Sequence, residues 1–368
     1  MLKCKLIKKI LTLMNSSEKK SDKPTVVVII PFYNGSKWIE RAVESVHRQT
    51  VPPDEFIIVN DGSQPQERQF LEKLSDRYNF KIIDKPNGGQ GSARNAGVSA
   101  SMSDYICFLD QDDIYLEEHN EVLLQAVPAQ VSRLGWIYAD LNIADEDGNI
   151  IFSKCVKERS PSHPKHSLIE NIRNDMFVLP SASIINRKAF EAVGGFDEQF
   201  KGYEDDDLFL RLFRKGYTNY FIDKPITTWC IHEESTSFNI VFSQSRLKYF
   251  KKLKNSFPNR PKMNLYYLRD CIIPRFSPMF IEAAIVSVLK NSKEQEEALK
   301  IIDSYYADIV TDDSVSSSRL KKLKALIWVL KHMPSVFRNV ILILMQFSFT
   351  RRILLRNMPS IRGHNFRV

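Results

Sequence analysis

The chain has 368 residues, 26% of them charged and 43% hydrophobic, with a formal net charge of +8 at pH 7. That length suits one large α/β domain and a smaller appendage. Five cysteines, at 4, 107, 155, 230 and 271, form no pair with metal or redox spacing, which argues against a disulfide framework and fits a reducing, cytoplasmic compartment.

The basic excess sits at the ends, in Lys3, Lys5, Lys8 and Lys9, then Lys19 and Lys20, then a series from Lys251 to Arg362. Such ends suit an anionic partner, whether a membrane surface, a nucleic acid or a polyanionic glycan. Residues 1–22 read as a basic amphipathic leader, because MLKCKLIKKILTLM has too short an apolar run and no cleavage site for a signal peptide. No stretch offers the roughly 18 apolar residues of a membrane span.

Thr25 to Ile30, TVVVII, is the continuous β-branched run of a buried parallel strand, with Pro31 expected to end its ladder. After Phe32-Tyr33-Asn34-Gly35 a helix is expected with Ser36 as N-cap and Ile39, Ala42, Val43 and Val46 on one face. A strand from Glu55 to Val59 runs into the polar turn Asn60-Asp61-Gly62-Ser63. A helix over Glu67 to Tyr78 and a strand over Phe80 to Ile83 complete a doubly wound layer. Asn87-Gly88-Gly89-Gln90-Gly91 then opens a helix at Ser92, and its glycines allow close backbone approach to an anion. It is neither a P-loop nor a dinucleotide fingerprint. Arg94, inside this segment, suits a nucleotide phosphate or an ion pair with a nearby carboxylate, and the first reading is preferred.

The organising stretch is Tyr105 to Tyr115, YICFLDQDDIY, where an apolar run delivers Asp110, Asp112 and Asp113 to a strand end. Carboxylates so crowded repel one another unless a cation lies between them, and a divalent metal is the economical answer. The plainer account is an acidic turn with one Asp as N-cap. Asn120 to Val127 reads as helix, Trp136 to Asp140 as strand, and residues 156–175 as a loop able to lie over a ligand. Ser181 to Ile185 is a short strand and Arg187 to Val193 a brief helix. In Gly202 to Tyr217, Glu204 to Asp207 are four consecutive carboxylates at a helix start. The helix dipole accounts for one or two of them, and at least one suits a general base. Beyond Trp229-Cys230-Ile231-His232 the chain turns helical and basic: 243–253, 280–289, 293–306, 320–333 and 336–355. Asn339 to Thr350 is uncharged between Arg338 and Arg351. The last two helices suit docking on their own protein or the lipid headgroup layer, with membrane contact preferred.

In order, TVVVIIPFYN, EFIIVNDGS, NGGQGSARNAG, FLDQDD, GGFDEQF and YEDDDLFLRL resemble the inverting family 2 glycosyltransferases of the GT-A fold, over Thr25 to His232. The resemblance implies an α/β, Rossmann-like fold, with a mostly parallel sheet and helices on both faces, in a catalytic domain over 23–237. A helical C-terminal extension over 238–368 would follow. It implies that Pro31, Tyr33 and Asp61 belong to the nucleotide pocket, that Arg94 lies beside the diphosphate, and that Asp110 and Gln111 meet the sugar nucleotide. Asp110 and Asp112 match the D-x-D that holds a divalent metal, Mn²⁺ or Mg²⁺. Asp205 matches the catalytic base, with Glu204 its neighbour. His232 stands as a further metal or phosphate contact, although Cys230 replaces the arginine of that segment. Asn60 stands where the family often has an Asp. The expected activity is transfer of a sugar from a nucleotide donor, with UDP the family's commonest nucleotide, to a glycan or lipid-linked glycan. The expected setting is peripheral, at the cytoplasmic face of a membrane, with a homodimer as another use of the C-terminal helices. A nucleotidyltransferase would need a glycine-rich loop after the first strand, which PFYNGS does not supply. A nucleic-acid or polyanion binder would rest on basic charge alone, and no nucleic-acid motif supports it. The intact acidic residues argue against an inactive relative kept as a scaffold.

Overall fold

The computed structural model describes residues 23–128, 133–160, 162–232 and 240–345. The basic leader, the boundary near 237 and the end of the last expected helix lie outside the described residues. Strands β1 (Val26–Phe32), β2 (Glu55–Asp61), β3 (Lys81–Lys85), β4 (Tyr105–Phe108), β5 (Ile114–Tyr115), β6 (Leu134–Ala144), β7 (Ile150–Phe152), β8 (Ser183–Asn186) and β9 (Thr218–Cys230) form one sheet. Its order is β3-β2-β1-β4-β8-β6-β9-β5, with β7 on β6. The β3-β2-β1-β4 half is parallel, and β8 enters antiparallel to both β4 and β6.

Helices α1 (Ser36–His47), α2 (Pro65–Tyr78), α3 (Gln90–Ser99), α4 (His119–Gln125), α5 (Cys155–Arg159), α6 (Leu168–Arg173), α7 (Arg187–Ala192) and α8 (Glu204–Arg214) follow the strands. After them come α9 (Ile240–Ser256), α10 (Ile273–Lys290), α11 (Gln295–Ile309), α12 (Ser317–His332) and α13 (Pro334–Met345). All seven residues of β1 are buried. Val26, Val28 and Ile30 pack with Ile39, Ala42, Val43 and Val46 of α1 and with Leu71 and Leu74 of α2. Val27 and Ile29 join the opposite core. Two covered faces explain why the run is continuous rather than alternating. Each such side chain is worth about 1.5–3 kcal/mol on burial.

Several elements differ from expectation. Pro31 lies within β1, paired with Val59, and the strand continues to Phe32. Thr25 and Ile29 accept from Tyr105 and Leu109, so the odd-numbered residues turn their backbone groups toward β4. Pairing with β4 ends at Ile29 and Phe108, so the missing N–H of Pro31 breaks no ladder bond. Ser36 is not the N-cap. Gly35 takes that place, while the Ser36 N–H and hydroxyl both donate to Glu67.

The expected mobile loop over 156–175 is pinned instead. Asp140 accepts from the N–H groups of Val156 and Lys157, and Asn219 exchanges hydrogen bonds with the backbone of Lys165. The long strand β9 has no single period to read, because its pairing with β6 jumps from Ala139–Ile222 to Asp140–Pro225 and leaves Asp223 and Lys224 in a bulge.

The C-terminal helices share the core of the sheet. Tyr249, Phe250, Phe276, Phe280, Tyr305 and Leu330 belong to one buried cluster with Trp136 and Phe209. Among the described residues one helix, Leu268–Lys290, is long and apolar enough to cross a membrane by length and composition, contrary to the sequence reading. Its Ile273, Phe276, Phe280, Ala284 and Val288 are buried against the rest of the chain, as in a core helix.

Candidate active site

The carboxyl ends of β1, β2 and β4 open on the same edge of the sheet. Asp61, the last residue of β2, is 3% exposed, and its carboxylate accepts from the N–H of Gly88 at 2.9 Å, the N–H of Gly89 at 2.7 Å and Lys85 Nζ at 2.6 Å. Its two oxygens therefore hold the glycine-rich loop in shape. Gly62 makes this approach possible: its φ is +74°, and a Cβ there would lie 2.7 Å from the Asn87 nitrogen. Asn60 accepts from Ser63 N–H and donates to Asp84, a structural duty that a neutral amide performs.

Pro31 is buried, while the Tyr33 ring beside it is 49% exposed at the rim. Gln111 clasps the Tyr33 backbone, accepting from its N–H at 2.9 Å and donating to its carbonyl at 3.3 Å. The loop after β1 is thereby tied to the acidic turn after β4.

Arg94 lies between the two acidic clusters. It is buried on α3, with Nη2 2.6 Å from Asp110 Oδ1 and Nη1 3.1 Å from Glu204 Oε1, and its guanidinium covers the Phe108 and Phe196 rings. Of the two sequence readings it is the ion pair that this structure displays, and with two carboxylates rather than one. Gln90 Nε2 also donates to Asp110, at 2.7 Å.

Asp112 faces the other way, its Oδ2 2.7 Å from His232 Nε2. Burial and Asp110 raise the Asp112 carboxyl above its ordinary range, against the pull of His232. Asp113 is fully inside and serves the fold, accepting from the Cys230 N–H at 3.1 Å. Burial, then Asp112 and Asp110, push its carboxyl well up.

Glu204 and Asp205 open α8. Glu204 Oε2 accepts from the Gly202 N–H at 2.8 Å, and Asp205 Oδ1 accepts from the Asp206 N–H at 2.8 Å. Burial, then Glu204, Asp175 and Asp206, hold the Asp205 carboxyl well above the usual carboxylate range. A carboxyl perturbed in this way beside a second acidic cluster is a candidate for proton transfer. Asp207 has a structural task, paired with Arg211 and with Lys252 of α9.

Two residues of α1 escaped the sequence reading. Trp38 stacks on His232 at 4.3 Å between ring centroids, and Arg41 donates to the Asp112 carbonyl at 3.2 Å. Both sit on the turn of α1 nearest the strand ends, and no local pattern marks them. Among the described residues no three His, Cys, Asp or Glu side chains converge as a metal centre. Asp110 is turned to Arg94 and Gln90, and Asp112 to His232. By residue type, two carboxylates and an imidazole are donors that suit a hard or borderline divalent ion.

Residues 27–194 match the family model for glycosyl transferase family 2, and residues 179–234 match that for the N-terminal domain of galactosyltransferase. The matched stretch belongs to glycosyltransferase family 2. Beyond that stretch, an uncharacterized glycosyltransferase of Rickettsia prowazekii is 28% identical over 308 residues, 78% of this chain and 90% of that protein. The chondroitin synthase of Pasteurella multocida is 30% identical over 244 residues, 66% of this chain but only 24% of that longer protein. Among solved structures, S. aureus TarS 1-349 in complex with UDP-GlcNAc is similar with a TM-score of 0.56 at 18% identity, covering 93% of each chain. A mannosyltransferase from Pyrobaculum calidifontis in complex with GDP-Man and Mn²⁺ is similar with a TM-score of 0.52 at 14% identity, covering 94% of this chain and 88% of that one. These likenesses agree on the fold, and within it the acidic turn after β4 and the start of α8 are joined through Arg94.

Proposed function

We propose that this glycosyltransferase moves a sugar, with inversion, from a nucleotide-diphospho-sugar to a hydroxyl of a glycan or lipid-linked glycan during cell-surface polysaccharide synthesis. A UDP-sugar is the proposed donor. The observation that carries this reading is the bridge from Asp110 through Arg94 to Glu204, which brings a donor-side carboxylate and a base-side carboxylate into one electrostatic unit. Asp205 takes the proton from the acceptor hydroxyl, whose oxygen attacks the anomeric carbon from the face opposite the diphosphate. One displacement inverts the centre, so no second nucleophilic carboxylate is needed. Asp110, Asp112 and His232 would hold Mn²⁺ or Mg²⁺, which supplies positive charge against the leaving diphosphate. Tyr33 offers its exposed ring to the base, while Asp61 and Gln111 keep the glycine-rich loop and the turn after β1 in place. Arg94 pairs with both Asp110 and Glu204 and orients them.

A peripheral position at the cytoplasmic face of a membrane belongs to the same reading. Val336, Val340, Ile343 and Leu344 form an exposed apolar stripe on α13, flanked by Phe337 and Ile341, which pack on the core. Trp328 is exposed on α12, a helix that also carries Lys321, Lys322, Lys324 and Lys331. Apolar stripe and basic rim together suit an anionic lipid surface.

The deciding experiment incubates the full chain with UDP-, GDP- and dTDP-sugars, with Mn²⁺, Mg²⁺ or chelator, and follows released nucleoside diphosphate. Metal-dependent release from one donor is expected, with loss in Asp112→Ala. Asp205→Asn should abolish turnover and leave nucleotide binding intact. Absence of both release and binding with every donor would overturn the reading.

A further inference from the structure

The first turn of α8 is gripped from the C-terminal helices. Asp206, next to Asp205, is 4% exposed, and its Oδ2 lies 3.1 Å from Arg275 Nη2 and accepts from the Tyr249 hydroxyl. Its Oδ1 accepts from the Met176 N–H at 2.9 Å. The same Arg275 Nη2 lies 3.3 Å from Asp175 Oδ2. Arg275 belongs to α10 and Tyr249 to α9, so both reach Asp206 from helices that follow the sheet. The guanidinium is buried over the rings of Tyr249 and Phe276, at 5.6 and 5.0 Å. Burying a cation is costly unless it is paired, and here two carboxylates share it.

Asp205 is faced by three carboxylates, Glu204 and Asp206 on its own helix and Asp175 on the segment after α6. Arg94 reaches in from α3 and pairs with Glu204. Arg275 is the cation paired with both of the other two. Lys165, buried and held by the Ser160 hydroxyl and the Ser162 carbonyl, adds positive charge toward Asp175 and Asp206. Because Asp205 Oδ1 accepts from the Asp206 N–H, the setting of Asp206 also sets that of Asp205.

We propose that Arg275 is a positioning residue for the transfer reaction, fixing the first turn of α8 through Asp206 and cancelling the two negative charges that crowd Asp205. The proposal rests on Asp205 being the base. It makes the C-terminal helices part of the catalytic apparatus rather than an appendage.

The test is the pH profile of nucleoside diphosphate release, in the full chain, from the donor that the panel selects. Arg275→Gln removes the charge and should lower kcat at least tenfold, leave the donor KM within about twofold, and move the acidic limb to higher pH. Arg275→Lys should restore part of kcat and return the limb toward its original place. Asp175→Asn removes one facing negative charge, leaves the Arg275–Asp206 pair, and should move the limb to lower pH. An unmoved limb in Arg275→Gln, or equal damage to kcat and donor binding, overturns the proposal. Should Arg275→Gln fail to fold, Asp175→Asn decides alone, and an unmoved limb there has the same force. Asp205→Asn is run beside them. If it keeps turnover, the base reading falls and takes this proposal with it. If it is inactive while the limb stays put in the other variants, only the role of Arg275 falls.

Discussion

His232 Nε2 lies 2.7 Å from Asp112 Oδ2 while Trp38 stacks on the same imidazole at 4.3 Å. An ion recruited to Asp112 must displace or share that hydrogen bond, and the indole is in contact with the ring that responds. Titration with Mg²⁺ or Mn²⁺ should therefore change tryptophan fluorescence, and Trp38→Phe should remove most of the signal. Asp112→Ala should weaken the metal response at least tenfold, on the order of 1.4 kcal/mol or more. An equal response in Asp112→Ala would place the metal elsewhere.

Acid should weaken the fold through His119. Burial holds this imidazole down at about 4, against an ordinary 6.5, with the ring stacked on Tyr115 and its Nδ1 3.1 Å from Asn120 Oδ1. Above the ordinary value neither the folded nor the unfolded chain carries the proton, so the full stability is present. Below it the unfolded chain takes up a proton that the folded chain refuses, and stability falls until the pH nears 4. The raised carboxyls of Asp112, Asp113 and Asp205 act with the opposite sign, so a difference measurement is needed. Relative to the parent, His119→Phe should gain about 2 kcal/mol in urea unfolding between pH 7 and pH 5. A constant difference would show that His119 protonates freely when folded.

The glycine at 97 sets how closely α3 can approach β1. A Cβ there would lie 2.5 Å from Ile29 Cγ2. Ala is the better helix former by about 1 kcal/mol, but overpacking against a buried strand costs about 1–3 kcal/mol. The difference of those two effects is about 0–2 kcal/mol, and the 2.5 Å approach to a buried strand puts Gly97→Ala toward the destabilised end of it in chemical denaturation. A neutral result would mean that α3 shifts without cost, and Arg94 and the glycine-rich loop would shift with it.

The α13 stripe predicts lipid binding with two separable components. Val340→Glu and Ile343→Glu alter exposed positions and should leave folding and donor turnover intact. They should abolish flotation with vesicles containing phosphatidylglycerol. High salt should weaken flotation of the parent, since the lysines of α12 act at long range. Flotation that survives both substitutions would move the contact away from α13.

Much of this protein is legible locally. The apolar run at Thr25 to Ile30, the facing residues of α1, the glycine-rich turn and the paired acidic segments follow from side-chain period and turn chemistry, which act over a few residues. Family motifs lay in that local signal, so the fold class and the acidic residues were available from the chain alone. What the sequence could not determine depends on contacts between distant positions. Arg94 reaches Glu204 across 110 residues, and His232 reaches Asp112 across 120. No period links Trp38 to His232 or Arg275 to Asp206, because each pair meets only after the sheet has set its strand order. The bulge at Asp223 and Lys224 hid β9 for a related reason: its pairing with β6 changes register within the strand. The basic C-terminal helices had two possible partners for their apolar faces, lipid and the sheet's own core. Tertiary packing places Phe250, Phe276, Tyr305 and Leu330 of α9 to α12 in the core that the sheet shares, and among the described residues it leaves the α13 stripe exposed.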